Sequence, residues 1–175
     1  MHQLNVERFE AMVPAQTRLV RTFAPDATCS VNEGPHGYFC SSWRLADRGA
    51  RELFVEQAGR QVTPLDLRVG IYFADAVTAT SDPTALSSAL EVLLGARSTL
   101  QPLGVVPTFT HGCTIRDETR FGWTDGELRE WLTKPCDNRD LVWLWDLHKG
   151  EPTDQQIEMA LTALVPVWLA WNALD

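Results

Sequence analysis

Residues Leu65 to Phe73 read Leu-Asp-Leu-Arg-Val-Gly-Ile-Tyr-Phe and contain the clearest strand signal in the chain. Every odd position in it is apolar, whereas the even positions are Asp66, Arg68, Gly70 and Tyr72. Strict alternation is typical of a β-strand whose two faces meet different surroundings. We therefore predict a central, half-buried strand here, with Val69 and Ile71 in the main core.

Three segments upstream of this strand also have strand character: Thr28–Glu33, Tyr38–Ala46 and Arg51–Gln57. The first two are separated by Gly34-Pro35-His36-Gly37, which is a turn signal. The third could instead form a helix that begins near Asp47 and stops at Gly59, but the even spacing of its neighbours favours a strand. The sequence thus predicts a four-stranded antiparallel meander.

Helical patterns precede and follow this meander. Asn5 to Phe23 predicts a helix that Pro14 kinks or divides in two. The remaining segments are a helix from Pro83 to about Ser98 capped by Ser81 or Asp82, an edge strand Gly104–Thr110 interrupted by Pro107, a helix Asp125–Thr133, an internal strand Leu141–His148, and a helix Asp154–Leu174 capped by Thr153. The predicted class is α+β, a mostly antiparallel sheet with helices packed on one face.

Length and composition set the broad class of the protein. The chain has 175 residues, 45% hydrophobic and 22% charged, which suits a single globular domain spanning 1–175. The N-terminus lacks a basic segment followed by an apolar one, and the four cysteines are widely spaced. We therefore expect a cytoplasmic protein with reduced thiols. The apolar stretch from Met159 to Leu174 contains Pro166 and is too short to cross a membrane.

The charge balance bears most directly on function. Asp and Glu number 23 against 15 Lys and Arg, for a formal net charge of -8. An acidic surface repels nucleic acid and anionic membranes and attracts basic proteins. We therefore expect a basic protein partner, no nucleic acid and no membrane.

Two acidic tracts are candidates for the partner-binding surface. The first, Asp117 to Glu130, offers five acids and Trp123 as an aromatic anchor; the predicted site is Asp117, Glu118, Trp123, Asp125, Glu127 and Glu130. The second runs from Asp146 to Glu158. The alternative interpretation is a solvated face on which acids complement helix N-termini, and in that case Trp123 is buried.

Catalytic and metal-binding patterns are weak. Cys29, His36 and Cys40 flank one turn, but they lack the close pairing that zinc sites usually show. His111 and Cys113 could place an imidazole beside a thiol, and carboxylates of the meander could serve a hydrolase or nuclease-like enzyme. We predict no metal and no cofactor, and an enzyme is the alternative to a binding protein.

The tryptophans and the last helix suggest a further alternative. Trp143, Trp145, Trp168 and Trp171 could stack on a ligand, but both segments are so apolar that a core role is favoured. If a homodimer forms through the last helix, Trp168 and Leu169 are its expected contacts. A homo-oligomeric structural subunit is therefore the third hypothesis.

The leading hypothesis is an acidic bacterial protein-binding domain that inhibits a basic partner. Immunity and antitoxin proteins are small, acidic inhibitors of this kind, and an acidic surface steers association with a cationic cleft.

Overall fold

The computed structural model describes residues 6–34, 37–46, 51–57, 66–73, 82–111, 114–135 and 138–174. The described part contains four α-helices and seven strands. In chain order these are α1 (Val6–Phe23), β1 (Thr28–Glu33), β2 (Phe39–Arg44), β3 (Arg51–Gln57), β4 (Asp66–Phe73), α2 (Pro83–Leu100), β5 (Val105–His111), β6 (Thr114–Arg120), α3 (Asp125–Thr133), β7 (Asn138–Asp146) and α4 (Asp154–Asn172).

The described strands form one antiparallel sheet with the order β1-β2-β3-β4-β7-β5-β6. The meander of β1 to β4 and the α+β class are confirmed, and Arg51–Gln57 is a strand. β7 lies between β4 and β5, which confirms that the apolar segment after Leu141 is internal. Both of its faces carry buried residues, since Leu141 and Trp143 belong to the main core and Val142 belongs to the smaller cluster on the other face.

One face of the sheet carries the main core. Residues with odd numbers on β4 point to this face, and Leu67, Val69 and Ile71 are fully buried there. The register of the neighbouring strands adds Leu53 and Trp43 to the same face. Apolar side chains from all four helices join these residues in one cluster, so the helices pack on one face of the sheet as predicted.

The opposite face of β4 is more buried than the alternation suggested. Arg68 is only 3% exposed, and Phe54 and Val142 form a smaller apolar cluster beside Gly70. A Cβ built on Gly70 would lie 2.8 Å from the carbonyl oxygen of Leu141. Glycine therefore permits the close approach of β4 and β7, and the prediction of a half-buried strand is wrong for this second face.

The prediction that Pro107 marks an edge strand is also wrong. β6, which the sequence patterns did not reveal, pairs with the outer side of β5. The carbonyl of Pro107 accepts a hydrogen bond from Phe121 N–H at 2.9 Å, just beyond the end of β6. A strand residue directs its N–H and its C=O to the same side. The position of the N–H that Pro107 lacks is therefore on the side of β6, at the point where the pairing of β5 with β6 ends, so the proline costs little there.

α1 is one helix with Pro14 inside it, so of the two predicted alternatives the single helix is observed and the division into two is not. Phe9 stacks on Phe39 with ring centroids 5.5 Å apart, and Trp43 Nε1 donates to Thr17 Oγ1 at 3.1 Å. These contacts lay α1 along β2, with its N-terminal end near the end of β1 that carries Glu33. Their burial holds the helix across the position where proline removes a hydrogen bond.

α4 is packed into its own domain. Trp168 and Trp171 are fully buried, and Trp168 Nε1 donates to the carbonyl of Arg51 at 3.0 Å. This confirms the core role of the two tryptophans. The prediction that Trp168 is a dimer contact is wrong, because its indole fills the space between α4 and the sheet. None of the described helices is long and apolar enough to cross a membrane.

Candidate partner-binding surfaces

The capping of α3 and the burial of its inner side place the predicted acidic residues on the outer side of the helix. Thr124 caps the helix and exchanges hydrogen bonds with Glu127 in a capping box. Leu128, Trp131 and Leu132 are fully buried on the inner side of the helix. The helical period therefore turns the remaining side chains, which include Asp125, Glu127 and Glu130, toward solvent, and all three are exposed.

Each of these three acids has a partner within the chain. Asp125 lies 3.4 Å from an Arg97 guanidinium nitrogen, and Glu130 lies 3.8 Å from Lys134 Nζ. Glu127 accepts hydrogen bonds from the Thr124 hydroxyl and from the backbone N–H groups of Thr124 and Gly122, which lower its pKa. The α3 surface is thus exposed, but its negative charge is compensated locally.

Trp123 does not form the predicted aromatic anchor. Its side chain is only 5% exposed, and its Nε1 donates to the carbonyl of Val105 at 2.9 Å. The indole packs the segment before α3 against β5. Because it is buried there, it cannot contact a partner in this conformation. The interpretation in which Trp123 belongs to the core is confirmed.

The other predicted residues of the first tract, Asp117 and Glu118, lie on β6. β6 is one edge of the described sheet, so their backbone is at the surface, but their side chains lie outside the described residues. The same holds for the side chain of His111, at the end of β5, and for the whole of Cys113 and His36.

The second acidic tract is also paired. Arg8 on α1 donates to Glu151 at 2.8 Å and to the carbonyl of Pro152 at 3.0 Å, and it forms a further ion pair with Asp154. These contacts join α1 to the start of α4. Two acids of the tract therefore bind within the chain.

The candidate zinc ligands Cys29 and Cys40 point to opposite faces of the sheet. Cys40 is paired with Asn32 on β1, three residues from Cys29, and side chains alternate along a strand. They cannot ligate one ion. The described residues contain no group of three or more His, Cys, Asp or Glu that could hold a metal.

Burial makes Cys40 a weak nucleophile. Removal from solvent and the negative charge of Glu56 raise its pKa to about 12, so the thiol stays protonated at neutral pH. The neighbouring Tyr38 hydroxyl donates to Glu56 at 3.3 Å, and burial raises the pKa of that phenol too. Of the carboxylates of the meander, Glu52 forms an ion pair with Arg44.

A third acidic group, which we call the Glu10 cluster, was not found from the sequence. It consists of Glu7 and Glu10 on α1 and Glu33 at the end of β1, and all three are exposed. Glu10 and Glu33 share a hydrogen bond, which, with the charges of Glu33 and Glu7, raises the pKa of Glu10. The spacing of Glu7 and Glu10 places them on one side of a helix, but only the packing of α1 on β2 brings Glu33 to them.

The Glu10 cluster adjoins the other edge of the described sheet. β1 has only β2 as a neighbour among the described strands, and five of its six residues are exposed. Val31, at the middle of the strand, is 45% exposed. An exposed strand edge next to excess negative charge is a second candidate surface for a partner.

A groove between α2 and α4 bears on the hypothesis of a homo-oligomer. A groove of about 300 Å³ lies between α2 and α4, lined by residues that include Gly95, Ala163, Pro166 and Ala170. Leu169, the second predicted dimer contact, is half-buried and packs against the core. Leu169 therefore stays a predicted dimer contact.

No family model, no curated protein and no solved structure matches this chain.

Proposed function

We propose that this protein is a protein-binding domain that docks a basic partner on its acidic surface. The observation that carries the proposal is the Glu10 cluster itself, in which the carboxyl groups of Glu10 and Glu33 are both exposed and Glu33 raises the pKa of Glu10. When the pair holds no shared proton its two carboxylates repel each other, and a cationic side chain placed between them removes the repulsion. Such a pair favours the arrival of Lys or Arg from outside.

The other acidic surfaces support this choice of site by contrast. Asp125 and Glu130 have cations of the same chain within 4 Å, and Arg8 holds Glu151 and Asp154. Their charge is already balanced, so a partner gains less by meeting it. The net charge of -8 adds long-range attraction for any basic protein.

An inhibitor of the immunity or antitoxin type is the specific form of this proposal. Such a protein covers a cationic cleft of its partner, and electrostatic steering accelerates the encounter. The location consistent with this form is the cytoplasm. The outer face of α3, with Asp125, Glu127 and Glu130, is the alternative docking surface for the same function.

Matched double variants test the function and the site together. We would immobilise wild-type protein, the double variant Glu10→Gln with Glu33→Gln, and the double variant Asp125→Asn with Glu130→Gln. Each double variant removes two negative charges from exposed positions, so any difference between them reflects position rather than net charge. Proteins retained from a lysate of the source cells at low and high salt are then identified by mass spectrometry, and the affinity of each purified candidate is measured.

We expect a basic protein that binds at low salt, is released at high salt and is weakened more by the Glu10/Glu33 variant. Stronger weakening by the α3 variant would move the site to α3. Equal weakening would mean that net charge alone is recognised. If no basic protein binds stoichiometrically, the proposed function is wrong.

A further inference from the structure

We infer that β1 accepts an extended basic segment of the partner as an added antiparallel strand of the sheet. This inference rests on the proposed function and specifies how the partner binds. It is argued from the edge of β1, from the direction of its backbone groups and from the side chains that an added strand would meet.

β1 has the regular geometry that strand addition requires. All six of its residues pair with β2 in one unbroken register, from Thr28 with Arg44 to Glu33 with Phe39. The strand contains no proline and no lysine, and its one charged residue is Glu33 at the end. Natural proteins usually block an exposed edge with bulges, prolines or inward charges; β1 has no bulge and no proline, and its single charge lies at the end of the strand.

The register also shows which backbone groups face outward. Gly34 N–H donates to the carbonyl of Tyr38 at 3.1 Å, which makes Gly34 and Tyr38 a hydrogen-bonded pair. Hydrogen-bonded and non-hydrogen-bonded pairs alternate along an antiparallel ladder. The N–H and C=O groups of Cys29, Val31 and Glu33 are therefore directed away from β2, toward the position of an added strand.

The side chains of the same three residues define what the added strand must carry. They lie on the face of the sheet on which α1 packs, because they pair with Trp43, Ser41 and Phe39 of β2. A residue opposite Glu33 would project toward the carboxyl groups of Glu33 and Glu10, so a basic residue fits there. The next residue on that face lies opposite the exposed Val31, where an apolar side chain fits.

The occupant is therefore a segment with a basic residue, any residue and an apolar residue in succession. Residues of β1 that point to the other face, Ser30 and Asn32, are uncharged and impose no charge on the intervening positions. A second copy of this chain fits less well. β1 has no cation to place beside Glu33, and two chains of net charge -8 repel each other.

The test uses a short synthetic peptide in which Arg, Val and Ala alternate with Thr, so that Arg lies opposite Glu33. In one version the amides of Arg, Val and Ala, which would face β1, are N-methylated. In the matched version the intervening Thr amides are N-methylated instead. Affinities are measured by fluorescence anisotropy, and a peptide with citrulline in place of Arg tests the charge.

We expect methylation of the amides that face β1 to weaken binding at least about tenfold, because each blocked amide loses a hydrogen bond. Methylation of the Thr amides should change affinity little. Citrulline should weaken binding about two- to fivefold at low salt, which is the range of an exposed ion pair.

A variant of the protein tests the same edge. Val31→Pro removes an N–H that is directed away from β2 and leaves the hydrogen bonds between β1 and β2 in place. We expect it to keep the wild-type circular dichroism spectrum and to lose peptide binding. If the variant does not fold, the methylated peptides alone decide the question.

Other outcomes separate this inference from the proposed function. Equal affinity of the two methylated peptides would overturn strand addition but leave an acidic docking surface intact. The same conclusion follows if the natural partner binds and Val31→Pro retains it. A wild-type dimer that Val31→Pro dissociates would make a second copy the occupant and overturn the assignment to a basic partner.

Discussion

The two edges of the described sheet are built from different kinds of residue. β6 is Thr-Ile-Arg-Asp-Glu-Thr-Arg, with charges at four of seven positions, and its register with β5 shifts between Phe109 and His111. β1 is Thr-Cys-Ser-Val-Asn-Glu and pairs with β2 without a shift. Charge and irregularity discourage a further strand, so β6 is protected and β1 is open to pairing.

The difference shows that the acidic side chains available to a partner need not be those of the most acidic segments of the sequence. The tract from Asp117 to Glu130 supplies a protected edge and a helix whose outer acids are paired. The sparser acids Glu10 and Glu33 meet at the open edge without compensating each other. Variants at the centre of the sheet, at its two edges and at their acids should show whether the two edges differ in this way.

The largest effect is expected at the centre of the sheet. Ile71 on β4 is fully buried, so Ile71→Ala should lower the free energy of unfolding by about 2–5 kcal/mol through lost burial and a residual cavity. Val31→Ala on the exposed β1 edge is the matched truncation and should cost less than about 1 kcal/mol. Denaturant unfolding monitored by circular dichroism measures both. Equal losses would show that β1 is as buried as the centre, and the comparison of the edges would fail.

A smaller loss of stability is expected when the indole N–H near each edge of the sheet is removed. Next to β6, Trp123 Nε1 donates to the buried carbonyl of Val105, whereas next to β1, Trp43 Nε1 donates to the half-buried hydroxyl of Thr17. Trp123→Phe leaves a buried acceptor without a donor and should cost about 1–3 kcal/mol. Trp43→Phe should cost less from this source, because the Thr17 hydroxyl can turn toward water. A larger loss for Trp43→Phe in denaturant unfolding would contradict this reasoning.

Much of the fold could be predicted because short-range patterns determine it. The alternation around Ile71 predicted β4, and the predicted caps Thr153 and Asp82 begin their helices. These signals depend on neighbours within a few residues. The two errors near β5 have separate causes. The charged residues of β6 mask its strand character, whereas Pro107 indicated an edge strand because it lacks an N–H donor.

The binding surfaces could be predicted only in part. The helical period correctly indicated that Asp125, Glu127 and Glu130 are exposed, but pairing with Arg97 and burial of Trp123 depend on how α2 and β5 pack. The meeting of Glu10 and Glu33 depends on the direction in which α1 crosses β2. Contacts between residues far apart in sequence carry no local pattern, so a single sequence could not reveal them.

The next effect concerns the helix that supports the protected edge. Thr124→Ala removes the cap of α3 and should cost about 1 kcal/mol, as should Thr153→Ala at the similar capping box of α4. Thermal unfolding of the two variants and wild type measures both losses. Restoring an acceptor with Thr124→Ser should recover most of the stability, and if it does not, the loss has a cause other than the cap.

The smallest expected effect is on stability at different pH, and it has opposite signs for Glu10 near β1 and Glu127 near β6. The folded state raises the pKa of Glu10, so between the ordinary value of 4.5 and the raised one it binds more protons than the unfolded state. Stability therefore falls as pH rises through that window. The folded state lowers the pKa of Glu127, so its contribution is present above 4.5 and is lost as pH falls through the lowered value.

Glu10→Gln should therefore raise the melting temperature at neutral pH, and Glu127→Gln should lower it. Both differences from wild type should shrink as the pH is brought below these windows, because the carboxyl groups become neutral like the amides that replace them. Melting temperatures of the two variants and wild type across the acid range provide the test. Changes of the same sign at neutral pH would mean that the two acids are equivalent. The contrast between the Glu10–Glu33 pair at the open edge and the paired acids of the helix beside the protected edge would then be lost.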